Sequence, residues 1–201
     1  MCVIIRKKKN VKIDKKELIN AYLSNQDGFG ILQQGKAPIY GKKIADLMNF
    51  CNQHLTDESD LIFHFRISTG GDGLSNLHPF KIKLTDCMAY LFHNGICGKS
   101  DGKRSDTHQL ADSLSGTDFE SATEVLNVLN ENGKGKFILC SVNFSKYFEI
   151  GIEYAKDGIG RSNENHIPYI KRSSSAAPGK SNYVGGHYYP QDERRSYELD
   201  Y

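Results

Sequence analysis

Residues Leu61 to Gly95, LIFHFRISTGGDGLSNLHPFKIKLTDCMAYLFHNG, decide how the rest of this chain is organised. Two apolar runs in this stretch, Leu61–Ile67 and Met88–Phe92, each end in a cluster of small and polar residues. Short runs that are rich in aromatic and branched residues and stop at glycine-containing turns are typical of buried strands. The polar clusters are therefore expected at the rim of a sheet, where two strands end.

The side chains at these two strand ends are suited to binding an anion. A buried, unpaired Arg66 would cost several kcal/mol, so it must meet an anion, either within the protein or on a ligand. Asn94 and Gly95 offer a carboxamide next to a backbone N–H, which suits stabilisation of a developing oxyanion. Taken alone, each piece is better explained by a salt-bridged arginine or an Asn-Gly turn. The rest of the chain has to decide.

The composition indicates a single globular domain. The chain has 201 residues and a formal net charge of +2, so nothing in its overall charge demands a nucleic-acid partner. It contains no long apolar run and no signal-peptide pattern, and we expect a cytoplasmic protein without a membrane association. The five cysteines lack C-x-x-C spacing, which argues against a zinc site or a disulfide framework. Four of them are interpreted as small core residues, and Cys2 is the exception.

Elements on both sides of the central stretch favour an α+β arrangement. Asp14 and Glu17 have the spacing of a capping box at the start of a first helix. Residues Arg6–Asn10 are interpreted as a solvated hairpin tip after a strand over Val3–Ile5, with residues 11–13 as the returning strand. The periodicity predicts, in order, a helix from Asp14 to Ser24, a helix over Lys43–Leu55, helices over Thr107–Leu114 and Asp118–Asn132, and an antiparallel pair of strands over Lys136–Phe144 and Tyr147–Tyr154.

The composition changes at residue 158. From there to residue 201 the chain has few aliphatic residues and many Ser, Gly, Asn, Tyr and charged residues. We therefore expect a folded domain over residues 2–157 and a polar, flexible tail over residues 158–201. Basic and aromatic residues interleave in this tail, so it is the one segment expected to contact nucleic acid or dock a partner, although acidic residues dilute its charge.

Cys2 is a candidate nucleophile if Met1 is removed, because cysteine is small enough to permit that processing. An N-terminal cysteine carries its own base: the α-amino group has a pKa near 8 and the thiol about 8.5, so one can accept the proton of the other. Without further context, a cysteine at the second position is usually only an apolar start to a strand. The interpretation depends on what accompanies it.

Six motifs accompany one another in chain order: Cys2, Asn25-x-Asp27-Gly28-x-Gly30, His64-x-Arg66-x-Ser68-Thr69-x-Gly71, Asn76-x-His78-Pro79, His93-Asn94-Gly95 and Ser105-Asp106-Thr107. The ordered set closely resembles the glutaminase domain of class II glutamine amidotransferases, which are N-terminal-nucleophile hydrolases. The resemblance extends from Cys2 to about Tyr154. Each motif alone is weak, and their order makes the set specific.

The resemblance implies a fold and a reaction. The fold is an α+β four-layer αββα sandwich, with two antiparallel sheets between layers of helices. In the implied reaction, Cys2 attacks the side-chain amide of L-glutamine, and its free amine shuttles the proton. Asn94 and the N–H of Gly95 hold the oxyanion, ammonia leaves, and water releases glutamate from the thioester.

The resemblance also implies how the substrate is held. Arg66 binds the α-carboxylate, for which a planar bidentate donor is best suited, and Asp106 binds the α-ammonium group. Thr69 and His78 match positions that line the glutamine pocket. No metal or organic cofactor is implied.

Three departures from the family pattern are visible. Gly70 stands where some members have a second histidine, and the link from Asn94 to Asp106 is short. The tail from residue 158 is also too short and too polar to be the synthase domain that multidomain members carry. The ammonia acceptor is therefore expected to be a separate enzyme.

Two alternatives stay open. The first is an N-terminal-nucleophile hydrolase of the same fold that acts on another amide substrate. The second is a non-catalytic binding module that keeps the fold and docks a partner through its tail. Retention of Met1 would favour the second, because Cys2 would then have no free α-amine.

Overall fold

The computed structural model describes residues 2–55, 58–68 and 73–167. The chain is a mixed α/β protein in which both sheets are antiparallel. Its strands are β1 (Val3–Lys7), β2 (Phe29–Gln33), β3 (Ile39–Gly41), β4 (Leu61–Phe65), β5 (Phe80–Lys83), β6 (Met88–Asn94), β7 (Lys136–Ser141), β8 (Tyr147–Ile150), β9 (Glu153–Tyr154) and β10 (Gly160–Arg161). Its α-helices are α1 (Lys15–Ser24), α2 (Ile44–His54), α3 (Asp106–Leu114) and α4 (Phe119–Glu131).

The first sheet has the order β3-β2-β4-β1-β10-β9. The first strand of the chain meets a much later segment here, because β1 lies between β4 and β10, with Val3 opposite Phe65 and Ile5 opposite Arg161. The predicted buried strand in the first half of the central stretch is confirmed as β4, and all five of its residues are buried.

The second sheet has the order β5-β6-β7-β8. The other predicted strand of the central stretch is its long member β6, which pairs with β7 over six positions, from Ala89 opposite Ser141 to Asn94 opposite Lys136. The antiparallel pair expected near residues 136–154 is confirmed as β7 and β8.

Three apolar clusters form the core. Strand β1 contributes to two of them because successive side chains point to opposite faces of a strand: Val3 and Ile5 pack towards α1 and α2, while Ile4 packs towards the second sheet. The middle cluster joins the sheets through Ile4, Leu32, Ile62, Tyr90, Phe92, Ile138 and Cys140. The third packs α3 and α4 on the second sheet through residues that include Ala111, Leu114, Leu126, Leu91 and Leu139.

The starts of α1 and α4 follow from capping residues that the sequence displays. The Asp14 carboxylate accepts a hydrogen bond from the Lys16 backbone N–H at 2.9 Å, and the Asp118 carboxylate accepts one from the Ser121 N–H at 2.8 Å. Glu17, however, does not complete a capping box. Its carboxylate pairs with Arg161, at 2.6 Å to Nε and 2.7 Å to Nη2.

The solvated hairpin tip predicted for Arg6–Asn10 is wrong at its first two residues, which belong to β1. Arg6 is 5% exposed, and its guanidinium lies 2.7 Å from the Asp60 carboxylate and over the rings of Phe144 and Tyr147. Lys7 is fully buried, and its Nζ donates to the Ser59 carbonyl. The strand extends further than its apolar residues because both cations find partners. Residues 11–13 form no strand.

The domain boundary expected between residues 157 and 158 falls inside the folded part of the chain. Ile159 is 1% exposed within the first core cluster, residues 160–161 form β10 against β1, and Ser162 is fully buried. Backbone pairing and buried polar contacts hold this segment, and neither is visible in its composition. The rest of the expected tail, residues 168–201, lies outside the described residues.

The five cysteines are free thiols. Cys51 and Cys140 are buried in the core, as predicted, whereas Cys87 and Cys97 are only partly buried. Among the helices in the described ranges, none combines the length and the apolar character needed to cross a membrane.

Candidate active site

Cys2 lies immediately before β1, and its side chain faces the residue that follows Arg66. Its Sγ is 3.4 Å from both the backbone N and the carbonyl O of Ile67. Burial raises the pKa of the Cys2 thiol, and the Ile67 N–H and the positive charge of Arg66 oppose that shift. The thiol is therefore mostly protonated at neutral pH, and its use as a nucleophile needs a base.

The segment after β4 is held by the Asn-x-Asp-Gly motif. The Arg66 backbone N–H donates to the Gly28 carbonyl at 2.8 Å, and the Asp27 N–H donates to the Arg66 carbonyl at 3.1 Å. The Asp27 carboxylate in turn accepts a hydrogen bond from the Ser68 N–H at 2.6 Å. Arg66 itself is 4% exposed. The Asn-x-Asp-Gly motif and the segment after β4, which are about forty residues apart in the sequence, are thus hydrogen-bonded to each other at Arg66.

Asn94, at the end of β6, is connected to the strand that follows Cys2. Its Nδ2 donates to Ser162 Oγ at 2.8 Å, and the Ile4 backbone N–H donates to the same oxygen at 2.8 Å. The next residue must be small, because a Cβ on Gly95 would lie 2.5 Å from Gly135 Cα. The Asn-Gly pair is therefore the end of a buried strand rather than a hairpin turn.

His78 packs against His64 with their ring centroids 3.9 Å apart and against Phe80 with centroids 4.6 Å apart. Its carbonyl oxygen lies so close to β2 that a Cβ on Gly30 would come within 1.5 Å of it. This contact explains the second glycine of the Gly-x-Gly motif. Among the described residues, neither ring nitrogen of His78 has a hydrogen-bond partner.

The histidines of the site are neutral. Burial lowers the pKa of His64 to about 3, and it lowers the pKa of His78 well below the ordinary histidine value. Burial also lowers the pKa of His93. These rings can donate or accept hydrogen bonds, but they do not exchange protons near neutral pH.

Asp106 is the first residue of α3, and its carboxylate faces the loop that follows Gly95. One oxygen accepts hydrogen bonds from the backbone N–H groups of Cys97 at 2.8 Å and Gly98 at 3.3 Å. The other accepts from the Thr107 N–H at 2.7 Å. Asp106 is partly exposed. It therefore presents a carboxylate in the neighbourhood of the strand end at Asn94 and Gly95.

The Asn-x-His-Pro and Ser-Asp-Thr motifs are directly joined. The Asn76 side-chain oxygen accepts from the Ser105 N–H at 2.8 Å, and the Asn76 amide donates to the Lys103 carbonyl at 2.8 Å. Asn76 is fully buried. It fixes the start of α3, and with it Asp106, next to the segment that carries His78.

His93, Cys97 and Asp106 form a group whose possible ligand atoms lie within 4.8 Å of one another. Their donor types would suit a divalent metal ion. In this structure both ring nitrogens of His93 already form hydrogen bonds within the protein. Nδ1 is 2.7 Å from Thr107 Oγ1, and Nε2 is 2.9 Å from the Lys134 carbonyl. Burial and the nearby Asp106 charge raise the pKa of Cys97 to about 12. We interpret the group as a hydrogen-bonded support for the strand end at Asn94 and Gly95.

The predicted site residues that the structure describes thus fall into two sets, and Gly95, which follows Asn94, belongs with the first. The first, Cys2, Arg66 and Asn94, is linked through β1, the end of β4 and Ser162. The second, His78 and Asp106, is linked through the buried Asn76, and the contacts described for Asp106 are with residues 97–98 and 107 rather than with Arg66 or Cys2. Thr69, the last predicted pocket residue, lies outside the described residues.

Two residues near Cys2 and Asn94 were missed by sequence reasoning. Ser162 bonds Asn94 and Ile4, and Asn163 Nδ2 donates to the Cys2 carbonyl at 2.7 Å. Both lie in the segment whose polar composition predicted a flexible tail. Nothing in that composition distinguishes a polar residue with a buried partner from a solvated one.

Comparison with known proteins finds similarity in structure. No protein-family model matches the chain, and no curated protein matches its sequence. The chain is similar in structure to the glutamine phosphoribosylpyrophosphate (PRPP) amidotransferase from B. subtilis complexed with ADP and GMP, with a TM-score of 0.52 and 19% identity. The similar region covers 81% of this chain and 42% of the amidotransferase chain. At this identity the comparison shows a shared fold.

Proposed function

We propose that this chain is a glutaminase that hydrolyses the side-chain amide of L-glutamine through a thioester on Cys2. One observation carries the proposal: the Cys2 thiol lies against the backbone next to Arg66, and Ser162 links the same strand to Asn94. A nucleophile, a cation for a carboxylate and a candidate oxyanion donor thus belong to one connected structure. The fold shared with an amidotransferase supports the same reaction.

The fold we propose is a four-layer αββα sandwich of the N-terminal-nucleophile hydrolase type. The three apolar clusters support it, because they lie between α1 and α2 and the first sheet, between the two sheets, and between the second sheet and α3 and α4. In this arrangement β1, the strand that follows Cys2, packs against helices on one face and against the second sheet on the other. We place the end of the domain beyond Ser162 rather than at residue 157, because Ile159 and Ser162 are buried and residues 160–161 pair with β1.

The first half of the reaction needs Met1 to be removed, so that Cys2 has a free α-amine. This amine, with an ordinary pKa near 8, takes the thiol proton that burial would otherwise retain. The sulfur forms a bond to the amide carbon, and the amine then passes the proton to the leaving nitrogen, which departs as ammonia. In the second half, water attacks the thioester, glutamate leaves, and the thiol recovers its proton.

The developing negative charge on the substrate oxygen is held by Asn94 and Gly95. Ser162 uses one hydrogen of Asn94 Nδ2, and the second hydrogen is available to the oxyanion. The Gly95 N–H is the other donor. Donors that are fixed before the charge develops stabilise a transition state because they do not have to reorganise.

The zwitterionic end of glutamine selects the substrate. Arg66 binds its α-carboxylate and Asp106 its α-ammonium group, while Thr69 and His78 line the pocket between them. A neutral His78 offers one donor and one acceptor to this pocket without adding charge. No metal or organic cofactor takes part in the proposed reaction.

The ammonia acceptor is a separate partner enzyme in this proposal. The region of similarity covers 42% of the amidotransferase chain, so the likeness does not extend to most of that protein. The segment 168–201 is the candidate for contact with that partner, and it is also the one segment for which nucleic-acid contact is proposed.

The test is the intact mass of the purified chain before and after incubation with an electrophilic glutamine analogue. We expect a chain without Met1 that gains one adduct on Cys2, blocked by excess L-glutamine. Cys2→Ala should abolish both the adduct and glutamate release, whereas Cys87→Ala, a control at the other end of β6 from Asn94, should change neither. Undiminished glutamate release from Cys2→Ala would contradict the proposal.

The two alternatives are separated by the same preparation. Hydrolysis of small amides that survives Arg66→Ala and shows no preference for glutamine would favour a hydrolase of another substrate. Retained Met1, together with an unlabelled Cys2, would favour a binding module.

A further inference from the structure

Ser162 bridges the strand that carries the nucleophile and the side chain of Asn94. Its Oγ accepts one hydrogen bond from the Ile4 N–H and one from Asn94 Nδ2, both at 2.8 Å. Ser162 is fully buried, with 0% of its surface exposed. Ile4 follows Cys2 by two positions, so one hydroxyl group connects the first sheet to the end of β6 in the second.

The backbone around Ser162 is held equally firmly. The Ser162 N–H donates to the Ile4 carbonyl at 3.0 Å, and Lys136 Nζ donates to the Ser162 carbonyl. Lys136 is the residue opposite Asn94 in the β6–β7 pairing. Asn163 adds a hydrogen bond from its amide to the Cys2 carbonyl at 2.7 Å. The hydroxyl therefore has a fixed position relative to both Cys2 and Asn94.

A carboxamide nitrogen carries two hydrogens, and fixing one of them determines where the other points. Ser162 takes one hydrogen of Asn94 Nδ2. The direction of the second hydrogen, which the oxyanion would use, follows from that bond. Displacement of a reacting or stabilising group by about 1 Å can cost roughly 10²-fold in rate.

We propose that Ser162 is a positioning residue of the oxyanion site, which aims the Asn94 carboxamide at the carbonyl attacked by Cys2. This inference rests on the proposed glutaminase reaction. It assigns a role in turnover to the segment after residue 157. Because Ser162 does not contact the glutamine zwitterion in this assignment, its loss affects kcat and leaves the KM for glutamine nearly unchanged.

The experiment compares Ser162→Ala and Ser162→Cys with a matched control, Ser141→Ala, in the full chain. Ser141 is also buried, at 5% exposed, but its hydroxyl contacts the turn at residues 143–146. We expect kcat for glutamate release to fall by about 10- to 100-fold in Ser162→Ala, with KM changed by less than about threefold. Ser141→Ala should keep the wild-type kcat. If Ser162→Ala does not fold, Ser162→Cys retains the volume with a weaker acceptor and should show the same split.

A double-mutant cycle with Asn94→Ala separates positioning from a general structural effect. We expect Asn94→Ala to lower kcat by about 10²- to 10³-fold, and Ser162→Ala to add nothing further in its presence. Multiplicative losses, or a Ser162→Ala kcat equal to that of Ser141→Ala, would overturn the inference while an active wild type left the glutaminase proposal standing. A wild type that neither hydrolyses glutamine nor is labelled on Cys2 would overturn both.

Discussion

Mild acid, between about pH 6.5 and 5, should lower the free energy of unfolding of this domain, because burial lowers the pKa values of three histidines. His64 is 0%, His93 2% and His78 5% exposed. Burial is the largest cause that lowers the pKa of each, to about 3 for His64. The positive charge of Arg66 lowers the pKa values of His64 and His78 further.

The sign and size of the effect follow from linkage. An unfolded histidine titrates near pH 6.5, so below that pH the unfolded chain binds protons that the folded chain does not. The free energy of unfolding therefore falls as pH falls, by about 1.4 kcal/mol per pH unit for each histidine. His64 and His78, whose pKa values lie far below 6.5, together remove up to about 4 kcal/mol between about pH 7 and 5, and His93 contributes in the same direction. The contribution of His64 is complete only near its folded pKa of about 3. The total free energy of unfolding of natural domains is about 5–15 kcal/mol, so this loss is a large fraction of it.

The measurement is urea denaturation at several pH values between about 7.5 and 5, where most carboxylates keep their charge. The free energy of unfolding should be constant above about pH 7 and should then fall with a slope of about two protons or more near pH 5. His64→Gln, which keeps a donor for the His93 carbonyl, should reduce that slope by about one proton. Equal stability at pH 7 and pH 5, or an unchanged slope in His64→Gln, would refute the reasoning.

Three further predictions concern single contacts. Gly30→Ala should destabilise the fold by more than about 3 kcal/mol in urea denaturation, because the added Cβ would lie 1.5 Å from the carbonyl oxygen of His78. An unchanged urea midpoint would contradict the close packing of His78 on β2. Asp60→Ala should lower the free energy of unfolding by roughly 3 kcal/mol in the same assay, because it leaves Arg6 buried without its charged partner. The control Asp86→Ala breaks a more exposed ion pair and should have little effect. Equal losses of stability in the two variants would refute the distinction. Arg66→Lys should raise the KM for glutamine by about 10-fold or more with a smaller change in kcat, because lysine cannot form a bidentate contact with a carboxylate. An unchanged KM in steady-state glutamate release would argue against Arg66 as the residue that binds the α-carboxylate.

Helices and central strands of this protein could be predicted because the signals for them are local. The caps at Asp14 and Asp118 and the apolar runs at β4 and β6 lie within a few residues of the elements they define. The Arg66 and Asn94 strand ends could be found for the same reason. A strand that is buried on both faces shows itself as a continuous apolar run.

The errors come from polar residues whose partners lie far away in the sequence. Arg6 reaches Asp60, and Glu17 reaches Arg161, so charges that resemble solvated surface are in fact held inside or across the fold. Ser162 is another such residue. Its local sequence predicts a tail, but its contacts are with Ile4 and Asn94. Pairing over such distances has no periodicity to detect.

The contact between Ile4 and Ser162 spans 158 positions of the sequence, and this has a consequence during synthesis. Ile4, two residues after Cys2, is synthesised well before Ser162, whose hydroxyl group accepts its backbone hydrogen bond. A nascent chain that has not reached residue 162 can fold α1 and pair β1 with β4, but it lacks the last strand beside β1. Such long-range closure is slow relative to local helix formation. In the proposed reaction, the Cys2 thiol therefore gains its complete surroundings only after β10 and Ser162 have joined β1.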